Sequence, residues 1–255
     1  MTTTVGVVVP AFRPDVGELR RYVTAIEETL DPETVVIELD APKEGVKAQL
    51  EDLPAIVETV PYRRGKGAAI TAGFEFLETD VLVFADADGS TPADSLDSVA
   101  DRVSSGGADL AVGSRRHPDS EVASHQTFAR RFLGDGFAWL AGTLLTVSLY
   151  DYQCGAKAIS ADGWDQVRSH LYEPGFAWDV ELAAIAGALD LRVAEVPIQW
   201  EDRPGSTVSP VRDSVALFRA LLSARHRAKQ LSDDRLHTAI AAAREQPTAL
   251  VERDR

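Results

Sequence analysis

The first half of the chain alternates between continuous apolar runs and apolar residues at helical spacing. The runs are Val5–Pro10, Thr34–Leu39, Ala55–Val60, Val81–Ala85 and Asp109–Gly113. Short runs rich in β-branched residues and bounded by turn residues predict strands, Val81–Ala85 among them being one buried on both faces. Between them, Leu19, Val23, Ile26 and Leu30 share one face of a predicted helix over Val16–Leu30, with Asp15 placed as its N-cap. Val46–Leu53, Ala68–Leu77 and Ser95–Ser104 are the other predicted helices. Regular alternation of strand and helix predicts an α/β fold with a doubly wound, mostly parallel sheet.

After Gly113 the rhythm changes. A polar loop opens at Ser114-Arg-Arg116, and Ser124–Val147 reads as a long helix or a helix pair. Asp151–Ile159 reads as a strand with a polar entry, Trp178–Leu189 as a helix, Arg192–Trp200 as a strand and Val211–Lys229 as a last domain helix. Residues 230–255 alternate charge with Ala and carry Pro247, the pattern of a peripheral helix and a loose tail. The expected organisation is one domain over 1–229, in halves of about 1–113 and 114–229, plus that tail.

Composition narrows the function. Of 255 residues, 45% are hydrophobic, enough for a substantial core, while the formal net charge of −14 argues against nucleic acid as the main partner. Lys43, Lys47, Lys66, Lys157 and Lys229 are the only lysines, and arginine supplies the remaining positive charge. Such a surface is similar to that of proteins from salt-loving microbes. Cys154 is the single cysteine, so no internal disulfide is available and a reducing cytoplasm is expected. The start of the chain has no basic stretch before its apolar run, so no signal peptide is expected. Phe137–Leu149, the longest apolar segment, is too short to span a bilayer; it lies in a membrane interface or belongs to the core.

Five sets of residues carry candidate chemistry. Val81–Ala85 ends on Asp86-Ala-Asp88-Gly89-Ser90, and in an open α/β sheet ligands collect beyond the carboxyl ends of strands. Two carboxylates there suit Mg²⁺ or Mn²⁺ shared with a phosphate; the plainer alternative is a pair of solvated turn aspartates. Arg63-Arg64-Gly65-Lys66-Gly67 precedes a helix and reads as an anion loop or as a basic turn, but lacks the spacing of a P-loop. Arg115, Arg116, Arg130, Arg131 and Arg203 suit bidentate phosphate recognition or surface ion pairs. Asp151-Tyr-Gln-Cys-Gly-Ala-Lys157 and Trp178-Asp179-Val-Glu181-Leu add polar groups in apolar settings, with Asp179 either a helix cap or a positioned carboxylate. Cys154 reads as a small packed residue, not a nucleophile.

Taken in order, the Val-Val-Val-Pro strand, Arg-Gly-Lys-Gly, Phe-Ala-Asp-Ala-Asp-Gly, Gly-Ser-Arg, Asp-x-Gln-Cys-Gly-x-Lys, Trp-Asp-Val-Glu-Leu and Trp-x-x-x-x-Gly-Ser resemble the family 2 inverting glycosyltransferases with the GT-A fold. The similarity is to polyprenyl-phosphate sugar transferases, dolichyl-phosphate β-glucosyltransferases first and dolichol-phosphate mannosyltransferases second, and covers residues 5 to 225. The resemblance implies a nucleotide-sugar half (1–113) and an acceptor half (114–229). It places Pro10, Phe12 and Asp40 around the nucleotide, and Arg64, Lys66 and Glu181 near the donor. It places Asp86, Asp88 and Ser90 on a Mg²⁺ or Mn²⁺ ion, Asp179 near the donor sugar, and Arg115, Arg131 and Arg203 on the acceptor phosphate. Two departures stand out: the second strand ends Glu38-Leu-Asp40-Ala-Pro where Asp-Asp-Gly-Ser is usual, and Thr207 stands where Lys is common.

The implied partners are a nucleotide diphosphate sugar, a polyprenyl or dolichyl phosphate and, with no spanning segment expected, the cytoplasmic membrane surface met peripherally by Phe128–Leu149. Two rivals are weighed against this. Asp-x-Asp-Gly-Ser also fits haloacid-dehalogenase-like phosphatases, although their nucleophile ends the first strand of the domain and three strands precede Asp86 here. A catalytically silent sugar-nucleotide-binding module is the other.

Overall fold

A computed structural model describes residues 3–123, 128–201, 210–232, 234, 237 and 247–253, with the side chains of 123, 128–135 and 210–215 outside the description. The strands are β1 (Val5–Phe12), β2 (Thr34–Asp40), β3 (Ile56–Val60), β4 (Val81–Ala85), β5 (Leu110–Ser114), β6 (Glu121–Ala123), β7 (Ala156–Ser160), β8 (Val193–Pro197) and β9 (Gln199–Glu201). The helices are α1 (Val16–Leu30), α2 (Lys66–Phe74), α3 (Ala93–Ser104), α4 (Phe128–Leu144), α5 (Ala161–Val167), α6 (Trp178–Ala188) and α7 (Pro210–Leu231). Seven strands form one sheet in the order β3-β2-β1-β4-β7-β5-β8, and β6 pairs with β9 in a separate ribbon. In the large sheet, β7 runs antiparallel to β4 and β5, and every other pairing is parallel. The predicted α/β, mostly parallel architecture is the one found.

Alternation along each strand sends side chains to two separate cores. Val7, Val9, Val35, Ile37, Val81 and Val83 pack with Leu19, Val23 and Ile26 of α1 and Leu96 and Val99 of α3. Val8, Val36, Leu82 and Phe84 pack on the other face with Ile70 and Phe74 of α2 and Trp178, Leu182 and Ile185 of α6. Burial on both faces is why these strands carry unbroken apolar runs. Helix α6 is buried on every side from Trp178 to Ala186, since α7 covers the face turned away from the sheet, where Ala184 meets Ala224 and Ala228.

The order of the strands creates the crevice. From β1 the chain winds outward through β2 and β3, then returns to place β4 on β1's other side. Adjacent crossovers thus leave in opposite directions at the carboxyl ends of β1 and β4, the switch point where α/β sheets bind ligands.

Several boundaries differ from the sequence expectation, each for a local reason. Pro10 does not end β1. Pairing with β4 stops at Val8, while pairing with β2 continues to Phe12, so the strand has an open side where a residue without N–H is tolerated. Helix α2 starts at Lys66, two residues before Ala68, and only a 3₁₀ turn at Lys47–Gln49 forms within Val46–Leu53. Residues 151–155 form a turn, and β7 begins at Ala156. The expected strand Arg192–Trp200 breaks in two: at Ile198, whose N–H donates to the Ser114 carbonyl, the chain leaves the large sheet for β6. Helix α5 has no counterpart in the sequence expectation; Ser160 caps it by accepting from the Gly163 N–H. The expected peripheral helix falls largely outside the described residues, but Leu250 of the tail docks by donating its N–H to the Leu171 carbonyl.

Gly73 lets α2 lie directly on β1. A Cβ there would sit 2.6 Å from Val8 Cγ1, too close for a core at this density. Gly73→Ala is therefore expected to destabilise the protein by about 1–3 kcal/mol through overpacking, measured as a lower urea midpoint at unchanged slope.

Candidate active site

Asp86 leaves β4 at the switch point, its N–H donating to the Gly155 carbonyl at the mouth of β7. A methyl group on Gly155 would overlap the Asp86 carboxylate, so only glycine leaves that carboxylate its place. Asp88 is exposed two residues on, and its Oδ1 accepts the Ser90 N–H at 2.9 Å. Ser90 itself is buried beneath the turn, its carbonyl accepting the Glu201 N–H.

Behind Asp86 lies a chain of alternating charges. Lys66, the first residue of α2, places Nζ 2.9 Å from Asp86 Oδ1 and 3.0 Å from Asp179 Oδ2. The other Asp179 oxygen accepts from Lys157 Nζ at 2.6 Å, and Lys157 also donates to the Cys154 carbonyl at 2.7 Å. Both ammonium groups lie over the Phe84 ring, at 5.1 and 5.5 Å from its centre. Asp179, Lys66 and Lys157 are nearly inaccessible, so each charge persists only because an opposite one touches it. Burial pushes the Asp179 carboxyl up, but Lys157 and Lys66 outweigh it and hold the group below the ordinary range. Burial likewise pulls Lys66 down, and Asp179 and Asp86 outweigh that, leaving it above its ordinary value. For Asp86 the loss of solvation wins: its carboxyl is raised, with Lys66 opposing and Asp179 and Asp88 adding to the rise.

The Arg-Gly-Lys-Gly loop is organised by the chain's own groups. Asp40, at the end of β2, accepts from the Arg64 and Gly65 N–H groups and from Arg64 Nε, while Arg64 Nη2 reaches Glu38 at 2.6 Å. Asp40 is thus the anion that meets the start of α2. The two glycines serve an approach by the neighbouring loop: side chains at Gly65 or Gly67 would overlap the carbonyls of Pro174 and Glu173. Phe12, 36% exposed, holds the rim of the crevice with the Arg63 guanidinium over its ring at 4.3 Å and that of Arg13 at 5.1 Å. Pro10 lies half-buried below it. Arg13 (φ 51°) and Ala41 (φ 44°) both take the left-handed conformation directly after β1 and β2, a local strain at the rim.

Arg115, beyond β5, makes a bidentate pair with buried Asp151, Nε to Oδ2 at 2.6 Å and Nη2 to Oδ1 at 2.9 Å. Its Nη1 has no hydrogen-bond partner among the described residues. Burial pushes Asp151 up, and Arg115 overrides this to hold it below the ordinary carboxylate range. Burial pushes the Cys154 thiol up to about 12, which agrees with a packed residue and not a nucleophile.

Not every expected residue joins this cluster. Glu181 follows Asp179 by two positions, so it leaves α6 in a different direction. It accepts the Tyr172 and Glu173 N–H groups and pairs with Arg227 of α7. It holds the loop that packs on Gly65 and Gly67 and makes no contact with the charge chain. The side chains of Arg131 and Arg203 lie outside the described residues. Three residues without an assigned role in the sequence reading prove central: Lys157, Asp151 and Gly155. The signal available for them was their shared place in Asp151-Tyr-Gln-Cys-Gly-Ala-Lys157, a polar stretch in an apolar setting.

Asp86 and Asp88 supply the hard oxygen donors that Mg²⁺ and Mn²⁺ take, with a glycine-lined place for the first carboxylate. Among the described residues no group of three or more His, Cys, Asp or Glu is placed to hold a metal. Two carboxylates fit an ion that completes its shell with phosphate oxygens and water, as Mg²⁺ commonly does.

The depressed carboxylates give acid stability a definite sign. Asp151 and Asp179 have folded-state values below the unfolded value of about 3.9, so their contribution is complete above that pH and is lost as pH falls through the folded values. Asp151→Asn is expected to melt lower at pH 7, because Arg115 loses its partner, yet to lose less with acid than the parent. Thermal melts between pH 7 and pH 3 check both effects.

Comparison with known proteins gives the family and the fold. Residues 6–140 match the family model for glycosyl transferase family 2. The glycosyltransferase AglD of Haloferax volcanii is 34% identical over 160 residues, 63% of this chain and 25% of that protein. Dolichyl-phosphate beta-glucosyltransferase of Mus musculus is 31% identical over 180 residues, 67% of this chain and 54% of that one. The chain thus spans a quarter to about half the length of these curated relatives. Glucosyl-3-phosphoglycerate synthase of Mycobacterium tuberculosis, solved with Mn²⁺, UDP-glucose and phosphoglyceric acid, superposes with a TM-score of 0.67 at 17% identity over 88% of this chain and 80% of that one. That likeness establishes the fold, which is GT-A. The phosphatase reading finds no support in any of these matches. With the family model covering more than half of it, the chain belongs to glycosyl transferase family 2.

Proposed function

We propose that the chain transfers a hexose, glucose favoured, from a nucleotide diphosphate sugar to a polyprenyl or dolichyl phosphate, inverting the anomeric carbon and requiring Mg²⁺ or Mn²⁺. The observation that carries this reading is the position of Asp86 and Asp88, at the switch point of a family 2 chain whose relatives include dolichyl-phosphate glucosyltransferases. Residues 1–113 would hold the donor and 114–229 the acceptor.

The residues divide the work by charge. Asp86 and Asp88, with Ser90 supporting the turn, would hold the ion, which when bound supplies Lewis-acid stabilisation of the departing diphosphate. Lys66 adds a positive charge beside the same position. Asp40 and Arg64 act through the loop they brace, and Pro10 and Phe12 form the rim on the nucleotide side. Asp179 holds Lys66, and Glu181 braces the loop behind it. The acceptor phosphate has its second pKa near ~6 and is already largely dianionic at neutral pH. It needs orientation and charge compensation more than a general base. Arg115, oriented by Asp151, supplies this with Arg131 and Arg203. In-line attack by such an oxygen inverts the sugar.

A lipid acceptor calls for a membrane surface, and the cytoplasmic face is proposed. No helix among the described residues is long and apolar enough to cross a bilayer. Helix α4 instead presents Trp139, 73% exposed, and the neighbouring α7 exposes Phe218 and Leu222. In an acidic protein, α7 carries Arg212, Arg219, Arg225, Arg227 and Lys229 against the single acid Asp213. Aromatic and basic residues together suit an anionic interface.

Two measurements test the reading. Across UDP-glucose, UDP-N-acetylglucosamine and GDP-mannose with a short polyprenyl phosphate, UDP-glucose is expected to give the most glycolipid. Excess chelator should stop the reaction, and Asp88→Ala should abolish it at unchanged melting temperature. Turnover in chelator, or no glycolipid from any donor, would remove the proposal. In flotation with anionic liposomes the wild type is expected to rise with the vesicles, and Trp139→Ala to rise less; a wild type that stays in the soluble fraction would show that this face does not meet the membrane.

A further inference from the structure

We infer that Lys66 is a built-in rival of the divalent cation: it occupies Asp86 in the free protein, so the ion binds tightly only when a nucleotide diphosphate arrives to take Lys66 over. This rests on the donor-site reading above and adds an order to it.

The argument starts from the asymmetry of the two carboxylates that share Lys66. The side chain of Asp179 is 2% exposed and that of Asp86 is 42% exposed, while Lys66 between them is 9% exposed. Asp179 has a second cation of its own, since Lys157 grips its other oxygen and is itself anchored on the Cys154 carbonyl. Asp86 has no such second partner: Lys66 is its one ion-pair partner among the described residues. The two carboxylates and two ammonium groups balance to zero net charge. A divalent cation placed on Asp86 adds two positive charges within a few ångströms of Lys66, where low solvent access strengthens the repulsion. A diphosphate at the same place cancels that imbalance and offers Lys66 new oxygens. Lys66 can turn towards them without becoming bare, because Asp179 remains at 3.0 Å and the Phe84 ring lies under its ammonium. Asp179 in turn never stands unpaired, because Lys157 stays. Lys157 is thus a positioning residue, which keeps one Asp179 oxygen free to tether Lys66.

The experiment is a Mn²⁺ titration followed by electron paramagnetic resonance, with and without UDP or GDP, on the wild type, Lys66→Met and Asp86→Asn, each checked for fold by circular dichroism. Without nucleotide, Lys66→Met is expected to bind Mn²⁺ at least about tenfold more tightly than the wild type, within the usual range of coupling between sites. A nucleotide should tighten Mn²⁺ binding strongly in the wild type and much less in Lys66→Met. Equal Mn²⁺ affinities in these two proteins, with the same gain from nucleotide, would overturn the inference and leave the donor site standing. No Mn²⁺ binding to any protein under any condition, or full binding to Asp86→Asn, would remove both. Should Lys66→Met fail to fold, the wild type decides by nuclear magnetic resonance of the Lys66 ε-carbon with Mg²⁺. Its signal should move when Mg²⁺ and nucleotide are both present and stay in place with Mg²⁺ alone. The same displacement with Mg²⁺ alone, or none with both, would overturn the inference.

Discussion

Everything at the crevice depends on a line of four charges, Asp86, Lys66, Asp179 and Lys157, drawn from four separate elements of the fold. Three of the four are buried, where an unpaired charge costs several kcal/mol. Those three are not tolerable alone, so the line joins the end of β4, the start of α2, the first turn of α6 and the start of β7. It ties the Arg-Gly-Lys-Gly loop to the sheet and sets where Asp86 can stand. A glycine at 155 gives that carboxylate room, and the antiparallel β7 brings Gly155 to it and Lys157 to Asp179.

Around this line the protein spends other charges on shape. Asp40 and Glu38 clamp Arg64, and with it the start of α2; Asp151 clamps Arg115; Glu181 and Arg227 clamp the loop over Gly65 and Gly67. Several of these residues belong to motifs that, taken singly, suggest direct contact with a ligand. Their geometry makes them braces. Among the described residues, groups with spare bonding capacity are fewer: Asp88, the shared Lys66 and the third nitrogen of Arg115. The proposed anionic donor and acceptor both need such groups, and the braced scaffold holds the loops that carry them in register.

The layered α/β frame is legible in the pattern of apolar residues alone. Unbroken apolar runs can be satisfied only by strands covered on both faces, and the intervening helical stripes supply the covers. Val81–Ala85 and Val16–Leu30 were legible to the residue, because burial and capping are local demands. The Asp-x-Asp pair and the Arg-Gly-Lys-Gly loop were legible as charge clusters, since charges delivered at the mouth of a buried strand are costly unless a ligand or a counter-charge meets them. Tertiary structure alone decided the partners. Lys66 and Asp179 stand 113 positions apart, and Arg64 and Asp40 stand 24 apart. No periodicity links such pairs, since an ion pair depends on distance in space, which the crossing of strands sets. The same holds for Gly155, whose necessity exists only because the fold brings the Asp86 carboxylate against it. Residue type announced where charge had to be neutralised; the packing of the sheet chose which charge would do it.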